Sequence, residues 1–211
     1  MGFDMNAFSL AGKKAIVTGG AKKTGLCYGM AVALHDAGAE IVILDANSQV
    51  ENTVAELGGA KSGYHAVVAN LLDLNDLSNG FQQAISALGG RLDILVNGAG
   101  LQYRCPSEEF PEDAWDRIMG VNIKGVFFMS QLAGKVMLKQ GKGKIINIAS
   151  TNSFIGLRNM PAYVSSKGGV KQLTMALSSE WSGRGINVNA IAPGYMDTEM
   201  SKDLQQMEQG K

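Results

Sequence analysis

Tyr163 and Lys167 stand four residues apart, in Tyr163-Val164-Ser165-Ser166-Lys167, and Ser150 lies thirteen residues upstream of the tyrosine. Four residues is about one helical turn, so on a helix the phenol and the ammonium share a face. Ser150 follows an apolar run at 144–149 that reads as a strand. A strand ending beside that helix brings an acid, its electrostatic tuner and an oxyanion donor to one point. A free phenol has a pKa of about 10 and a neighbouring cation lowers it, so the set suits proton transfer coupled to hydride transfer. These side chains hold no hydride, so the chain must also bind a carrier.

A carrier site is readable near the N-terminus. The apolar run 14–18 leads into Thr18-Gly19-Gly20-Ala21-Lys22-Lys23-Thr24-Gly25-Leu26, and a helical pattern follows. Glycines at a strand-to-helix turn let backbone N–H groups approach a pyrophosphate, and the helix N-terminus adds partial positive charge. Asp45 ends the second apolar run, twenty residues beyond Gly25. A carboxylate there accepts the ribose hydroxyls of NAD and repels a 2′-phosphate. Lys22 and Lys23 pull the other way, since either cation suits the 2′-phosphate of NADP. The expected cofactor is NAD, with NADP as the alternative.

The elements that must position these groups alternate along the chain. Strands are expected at 14–18, 40–45, 64–69, 94–97, 144–149 and 186–191, and helices at 26–37, 48–57, 74–88, 111–139 and 162–183. Such alternation predicts a doubly wound parallel sheet with helices on both faces, a three-layer α/β/α Rossmann-like fold. The runs are apolar throughout rather than alternating, as expected of strands covered on both faces. The 211 residues suffice for one domain over 1–211. Apolar residues surround the helix at 111–139, which predicts a homodimer or homotetramer through it and the helix at 162–183; a wide core face in a monomer is the alternative.

Composition removes several function classes. Formal net charge is zero and charged residues make up 18%, so there is no electrostatic footprint for nucleic acid. No apolar run is long enough to span a bilayer, and the N-terminus lacks a signal-peptide pattern. Cys27 and Cys105 lie far apart without metal-ligand spacing, which reads as reduced thiols in a cytoplasmic protein and no metal site. His35 and His65 fall in helix and strand patterns and carry no expected catalytic role.

The ordered set of motifs resembles the short-chain dehydrogenase/reductase family over nearly the whole chain, from about residue 10 to residue 200. The set comprises the glycine turn at 18–25, Asp45, Asn97-Gly98-Ala99-Gly100, Asn122, Ser150, Tyr163 with Lys167, and Pro193-Gly194 followed by Thr198. The resemblance implies that Tyr163 is the general acid or base and that Lys167 tunes it and binds the nicotinamide ribose. It implies that Ser150 holds the substrate oxygen and that Asn122 binds a water relaying protons. It further implies cofactor contacts at Gly19, Lys23, Thr24, Gly25, Leu26, Asp45, Asn70, Leu71, Asn97, Ala99, Gly100, Pro193, Gly194, Met196 and Thr198.

The sequence departs from the family pattern in several places. The glycine turn admits two placements, and the one without a helix insertion puts Gly25 at the middle glycine and Cys27 at the last. Lys22-Lys23 is then a loop insertion, which costs less than rotating a buried helix face. This turn is similar to that of the enoyl-acyl-carrier-protein reductase branch. That branch spaces its tyrosine and lysine more widely, and the corresponding position here is Val170. Asn70 replaces an aspartate, and Gly98 replaces the second asparagine of Asn-Asn-Ala-Gly. The family continues past Thr198 with a substrate-covering helix-loop and a seventh strand. Since this sequence stops at Lys211, an incomplete C-terminal end without strand and lid is expected.

Within the family the sequence is most similar to sugar-acid dehydrogenases, the gluconate 5-dehydrogenase and 2-dehydro-3-deoxy-gluconate 5-dehydrogenase groups. The residues are Gly100-Leu101-Gln102-Tyr103-Arg104, Phe127-Phe128-Met129-Ser130-Gln131, Lys167-Gly168-Gly169-Val170 and the run from Asn189 to Met196. The resemblance implies interconversion of a secondary alcohol and a ketone on a sugar acid such as gluconate or 5-ketogluconate. Arg104 follows the fourth strand at the sheet end where ligands bind, and its guanidinium suits a substrate carboxylate; a solvated surface arginine is the alternative. Asn152 and Ser153 stand where sugar hydroxyls could be met. Two other readings are 3-oxoacyl-acyl-carrier-protein reduction and an NAD-binding scaffold without turnover.

Overall fold

Six short aliphatic runs form six parallel strands: β1 (Lys14–Thr18), β2 (Glu40–Asp45), β3 (Tyr64–Val68), β4 (Ile94–Asn97), β5 (Gly143–Ile148) and β6 (Ile186–Ile191). In the computed structural model, which describes residues 5–198, they pair in the order β3-β2-β1-β4-β5-β6. The connecting helices are α1 (Leu26–Asp36), α2 (Gln49–Glu56), α3 (Leu74–Ala87), α4 (Glu112–Met119), α5 (Val126–Gln140) and α6 (Pro161–Trp181). The doubly wound parallel fold expected from the alternation is the one observed.

Alternate strand residues feed two cores, because successive side chains point to opposite faces. Ala15, Val17, Ile41, Ile43, Ile94 and Val96 pack with Ala31 of α1 and Val50 and Val54 of α2. Ile16, Val42, Leu44 and Leu95 pack on the other side with Phe81 of α3, Met129 and Met137 of α5, and Trp181 of α6. Both faces of each central strand are therefore dry, which is why the runs show no polar alternation. Phe81 is wholly buried, and truncating it to alanine costs about 3–5 kcal/mol.

Local signals set the helix ends. The Asp73 carboxylate accepts from the N–H groups of Asn75 and Asp76 at the start of α3. Pro161 opens α6, where a missing N–H is harmless. Gly141 closes α5 at φ 69°.

The single helix expected at 111–139 is instead α4 and α5 joined by a π-helical segment, Gly120–Gly125. The wider turn carries Asn122, whose side chain reaches Leu101 in the β4–α4 loop, a demand that apolar periodicity does not encode. Much of the apolar surface that suggested an interface is also taken up by the fold. Ile118, Val121, Val126, Met129 and Met137 are buried, and Phe127, Phe128, Leu132 and Val136 pack against the core. The expectation of a missing seventh strand and lid after Thr198 lies outside the described residues. No helix among the described residues is long and apolar enough to cross a membrane.

Candidate active site

The chain winds from β1 to β2 on one side, and β4 flanks β1 on the other. The carboxyl ends of β1 and β4 therefore open a crevice at the point where the winding reverses. Thr18 ties the two ends together, its hydroxyl accepting from Gly98 N–H at 3.0 Å and Ala99 N–H at 3.1 Å. Gly19 sits at φ 86°, and a Cβ on it would lie 2.7 Å from the Ala99 Cα, so only glycine lets the loops meet this closely. The crevice opens into a cavity of about 900 Å³.

One half of the cavity fits a dinucleotide. Gly25 caps α1 without a side-chain hydrogen bond, which leaves the first N–H groups of that helix to an anion. Gly19, Thr24, Gly25 and Leu26 line this wall. The Asp45 carboxylate stands at the end of β2, one oxygen accepting from Ala21 N–H and the other from Asn47 N–H, both at 2.9 Å. It is thereby fixed at the cavity edge beside Asn70 and Leu71. Lys22 and Lys23 lie in the exposed loop between β1 and α1.

The other half carries the reactive side chains. Ser150 ends the β5 connection, and its hydroxyl accepts from Asn152 N–H at 3.1 Å. Tyr163 and Lys167 lie one turn apart on α6 and both face the cavity. Lys167 is 4% exposed, and its ammonium donates to the Ile148 carbonyl at 2.6 Å. Burial holds that ammonium down to about 8. The Tyr163 phenol is pushed above its ordinary value of 10 by burial, and its hydrogen bond with Ser150 acts in the opposite direction. The sequence suggested a phenol lowered by Lys167. The lysine nitrogen instead lies 5.7 Å from the ring centroid and turns to Ile148, so desolvation prevails.

Most of the expected site residues line this one cavity. Asp45, Asn70, Leu71, Ala99, Gly100, Arg104, Ser150, Asn152, Pro193, Gly194, Met196 and Thr198 all do so, together with the glycine turn and the Tyr163–Lys167 pair. Four expected contacts are not brought to it. Lys23 turns outward and pairs with Glu56. Asn97 is buried beneath the sheet end, its amide donating to Ser130 and Asn147. Ser153 bonds to backbone rather than facing a sugar, its hydroxyl donating to the Lys167 carbonyl. Asn122 accepts from Leu101 N–H at 2.7 Å and donates to Leu101 C=O and Ser166 Oγ, so its amide is engaged in bracing the loop.

Sequence reasoning missed Leu157 and Met160 before α6, and Arg117 and Val121 near the α4–α5 junction, all of which line the cavity. Nothing in their local patterns separates them from ordinary helix and loop residues. Cys27 also lines the cavity, and burial raises its thiol to about 11.

The short chain dehydrogenase family profile matches residues 13–209. The chain belongs to the short-chain dehydrogenase family. Membership makes it an oxidoreductase that works with a nicotinamide cofactor. Among the family's curated members, the 2-dehydro-3-deoxy-D-gluconate 5-dehydrogenase of Escherichia coli strain K12 is 44% identical over 206 residues, covering 97% of this chain and 80% of that protein. The gluconate 5-dehydrogenase of Gluconobacter oxydans is 36% identical over 204 residues, covering 93% and 76%. A solved short-chain dehydrogenase structure, a gluconate 5-dehydrogenase from Burkholderia cenocepacia J2315 in complex with NADP and tartrate, superposes with a TM-score of 0.88 at 33% identity. It covers 95% of this chain and 78% of that one.

Proposed function

We propose that the protein interconverts a secondary alcohol and a ketone on a sugar acid of the gluconate and 5-ketogluconate type, with NAD(H) as cofactor. The observation that carries this reading is convergence: Ser150, Tyr163, Lys167 and Arg104 share one cavity with the glycine turn and Asp45. A bound nicotinamide supplies or takes up the hydride at the carbon under attack. In reduction, the Tyr163 phenol gives its proton to the substrate oxygen, and a phenol held above 10 by burial is in the required protonated form at neutral pH. Ser150 uses its hydroxyl proton to hold that oxygen as charge develops. The Lys167 ammonium supports the phenolate left behind, and Tyr163 takes the proton back in the oxidative direction.

Arg104 supports the acid part of the substrate. Its Nη2 is buried on the cavity wall and has no hydrogen-bond partner among the described residues. An unpaired buried guanidinium nitrogen is costly, and a substrate carboxylate satisfies it. Curated relatives named for gluconate and 2-dehydro-3-deoxy-D-gluconate substrates support the same class. Asp45, fixed by two backbone N–H groups, supports NAD over NADP. As an assembly we propose a homodimer or homotetramer through 111–139 and 162–183, supported by exposed Trp115 and Met175; sedimentation as monomer alone at micromolar concentration counts against it.

The deciding experiment is a substrate panel of sugar acids, neutral ketoses and acyl thioesters, run in both directions with NADH and NADPH. Turnover of gluconate or 5-ketogluconate with an NADH preference is expected. Turnover of acetoacetyl thioesters alone overturns the sugar-acid assignment, and a clear NADPH preference overturns the NAD assignment.

A further inference from the structure

Ser153 lies outside the cavity lining, yet it touches the backbone of two residues that the reaction uses. Its hydroxyl oxygen accepts from Ser150 N–H at 3.2 Å, and its proton goes to the Lys167 carbonyl at 2.7 Å. One side chain thus connects the end of β5 to α6 one turn past Tyr163. The connection is reciprocal on the β5 side, since Ser150 and Ser153 form a capping box around the short helical turn Thr151–Ser153. Within it, Ser150 Oγ is already an acceptor from Asn152 N–H. Its single proton is engaged with the Tyr163 phenol, and the box fixes the oxygen that places that proton beside the reacting group.

Lys167 is held from both ends by the same short stretch of chain. Its backbone carbonyl is bound by Ser153, and its ammonium donates to the carbonyl of Ile148, five residues before Ser153. Residues 148–153 and the second turn of α6 form one hydrogen-bonded unit. A hydroxyl suits the central position because it both accepts and donates through one atom, which an alanine cannot do. Reacting groups misplaced by about 1 Å can lose on the order of a hundredfold in rate.

We propose that Ser153 is a positioning residue whose hydroxyl sets the spacing between the Ser150 hydroxyl and the Tyr163–Lys167 pair. This rests on the assignment of those three residues to the reaction. It predicts a loss of kcat that exceeds any loss of cofactor affinity, because the glycine turn and Asp45 lie on other elements and only the ribose contact expected of Lys167 is disturbed.

The test compares Ser153→Ala, Ser153→Thr and Tyr163→Phe with the parent enzyme. The readouts are kcat across pH, and the cofactor Kd from quenching of protein fluorescence by NADH. For Ser153→Ala the expected result is a fall in kcat of about tenfold or more. A cofactor Kd within about twofold of the parent should accompany it, and the rising limb of the oxidative pH profile should move alkaline as Tyr163 loses support from Lys167. Ser153→Thr, which keeps the hydroxyl, should recover most of the rate. If Ser153→Ala is too unstable to assay, Ser153→Cys, with a weaker donor, gives the same readouts and should fall between the two. An unchanged kcat and pH profile in Ser153→Ala, while Tyr163→Phe is inactive, overturns the proposal and leaves the reaction assignment standing. Normal turnover by Tyr163→Phe removes both.

Discussion

Cys27 and Gly98 occupy complementary halves of one space: a Cβ built on Gly98 would lie 2.2 Å from the Cys27 Sγ. Cys27 is in the first turn of α1 and Gly98 directly follows β4. Both of these positions depart from the family pattern, a glycine at the first and an asparagine at the second. The structure makes the two departures one event, since the thiol fills the volume that the residue at 98 gives up.

That complementarity predicts a compensated pair. Gly98→Ala should destabilise the fold by about 1–3 kcal/mol through overpacking and weaken cofactor binding at the floor of the crevice. In a Cys27→Gly background the same change should lose most of its effect. The Thr18 carbonyl, 3.0 Å from the built Cβ, limits recovery to partial. Thermal unfolding of the four proteins in this cycle measures the coupling, and strictly additive shifts would contradict shared space.

Tyr163→Phe removes the reacting hydroxyl while keeping the ring. A drop in kcat of about 10²–10⁴-fold is expected, with substrate KM changed far less. Steady-state kinetics with saturating cofactor measures both.

Lys167→Met should stabilise the ligand-free protein while abolishing turnover. Desolvation lowers the lysine from 10.5 to about 8, so its charge is disfavoured in the folded state. That shift corresponds to about 3 kcal/mol, against which the lost bond to Ile148 removes about 1 kcal/mol. The sign follows from linkage. The penalty is fully present below pH 8 and fades as pH rises from about 8 to 10.5, because the folded protein gives up the proton first. The gain in Tm should be a few degrees at pH 7 and shrink toward pH 10. A variant less stable than the parent at pH 7 contradicts the account.

Asn159 is the sole non-glycine residue at positive φ among the described residues, at 61°, and its carbonyl accepts from Cys105 N–H at 2.9 Å. The contact straps the loop bearing Arg104 to the loop bearing Leu157 and Met160. The asparagine side chain is exposed, so its value lies in tolerating this backbone. Asn159→Gly should be nearly neutral, whereas Asn159→Val should raise substrate KM several-fold with cofactor KM unmoved. Equal effects of the two changes would place the importance in the side chain instead.

Much of this molecule was legible in its sequence because the relevant physics is local. Strands at 14–18, 40–45 and 94–97 follow from dry aliphatic runs, and the observed bounds agree with them. The one-turn spacing of Tyr163 and Lys167, the glycine turn and Asp45 at a strand end are also short-range patterns. They pointed to the cavity that the fold closes around them. What only tertiary structure decided concerns groups whose partners lie far along the chain. Lys23 pairs with Glu56, Asn97 turns beneath the sheet, and Asn122 needs a π-helical turn to reach Leu101. The Tyr163 phenol moved up rather than down because desolvation depends on every atom packed around it, and no spacing of two residues encodes that.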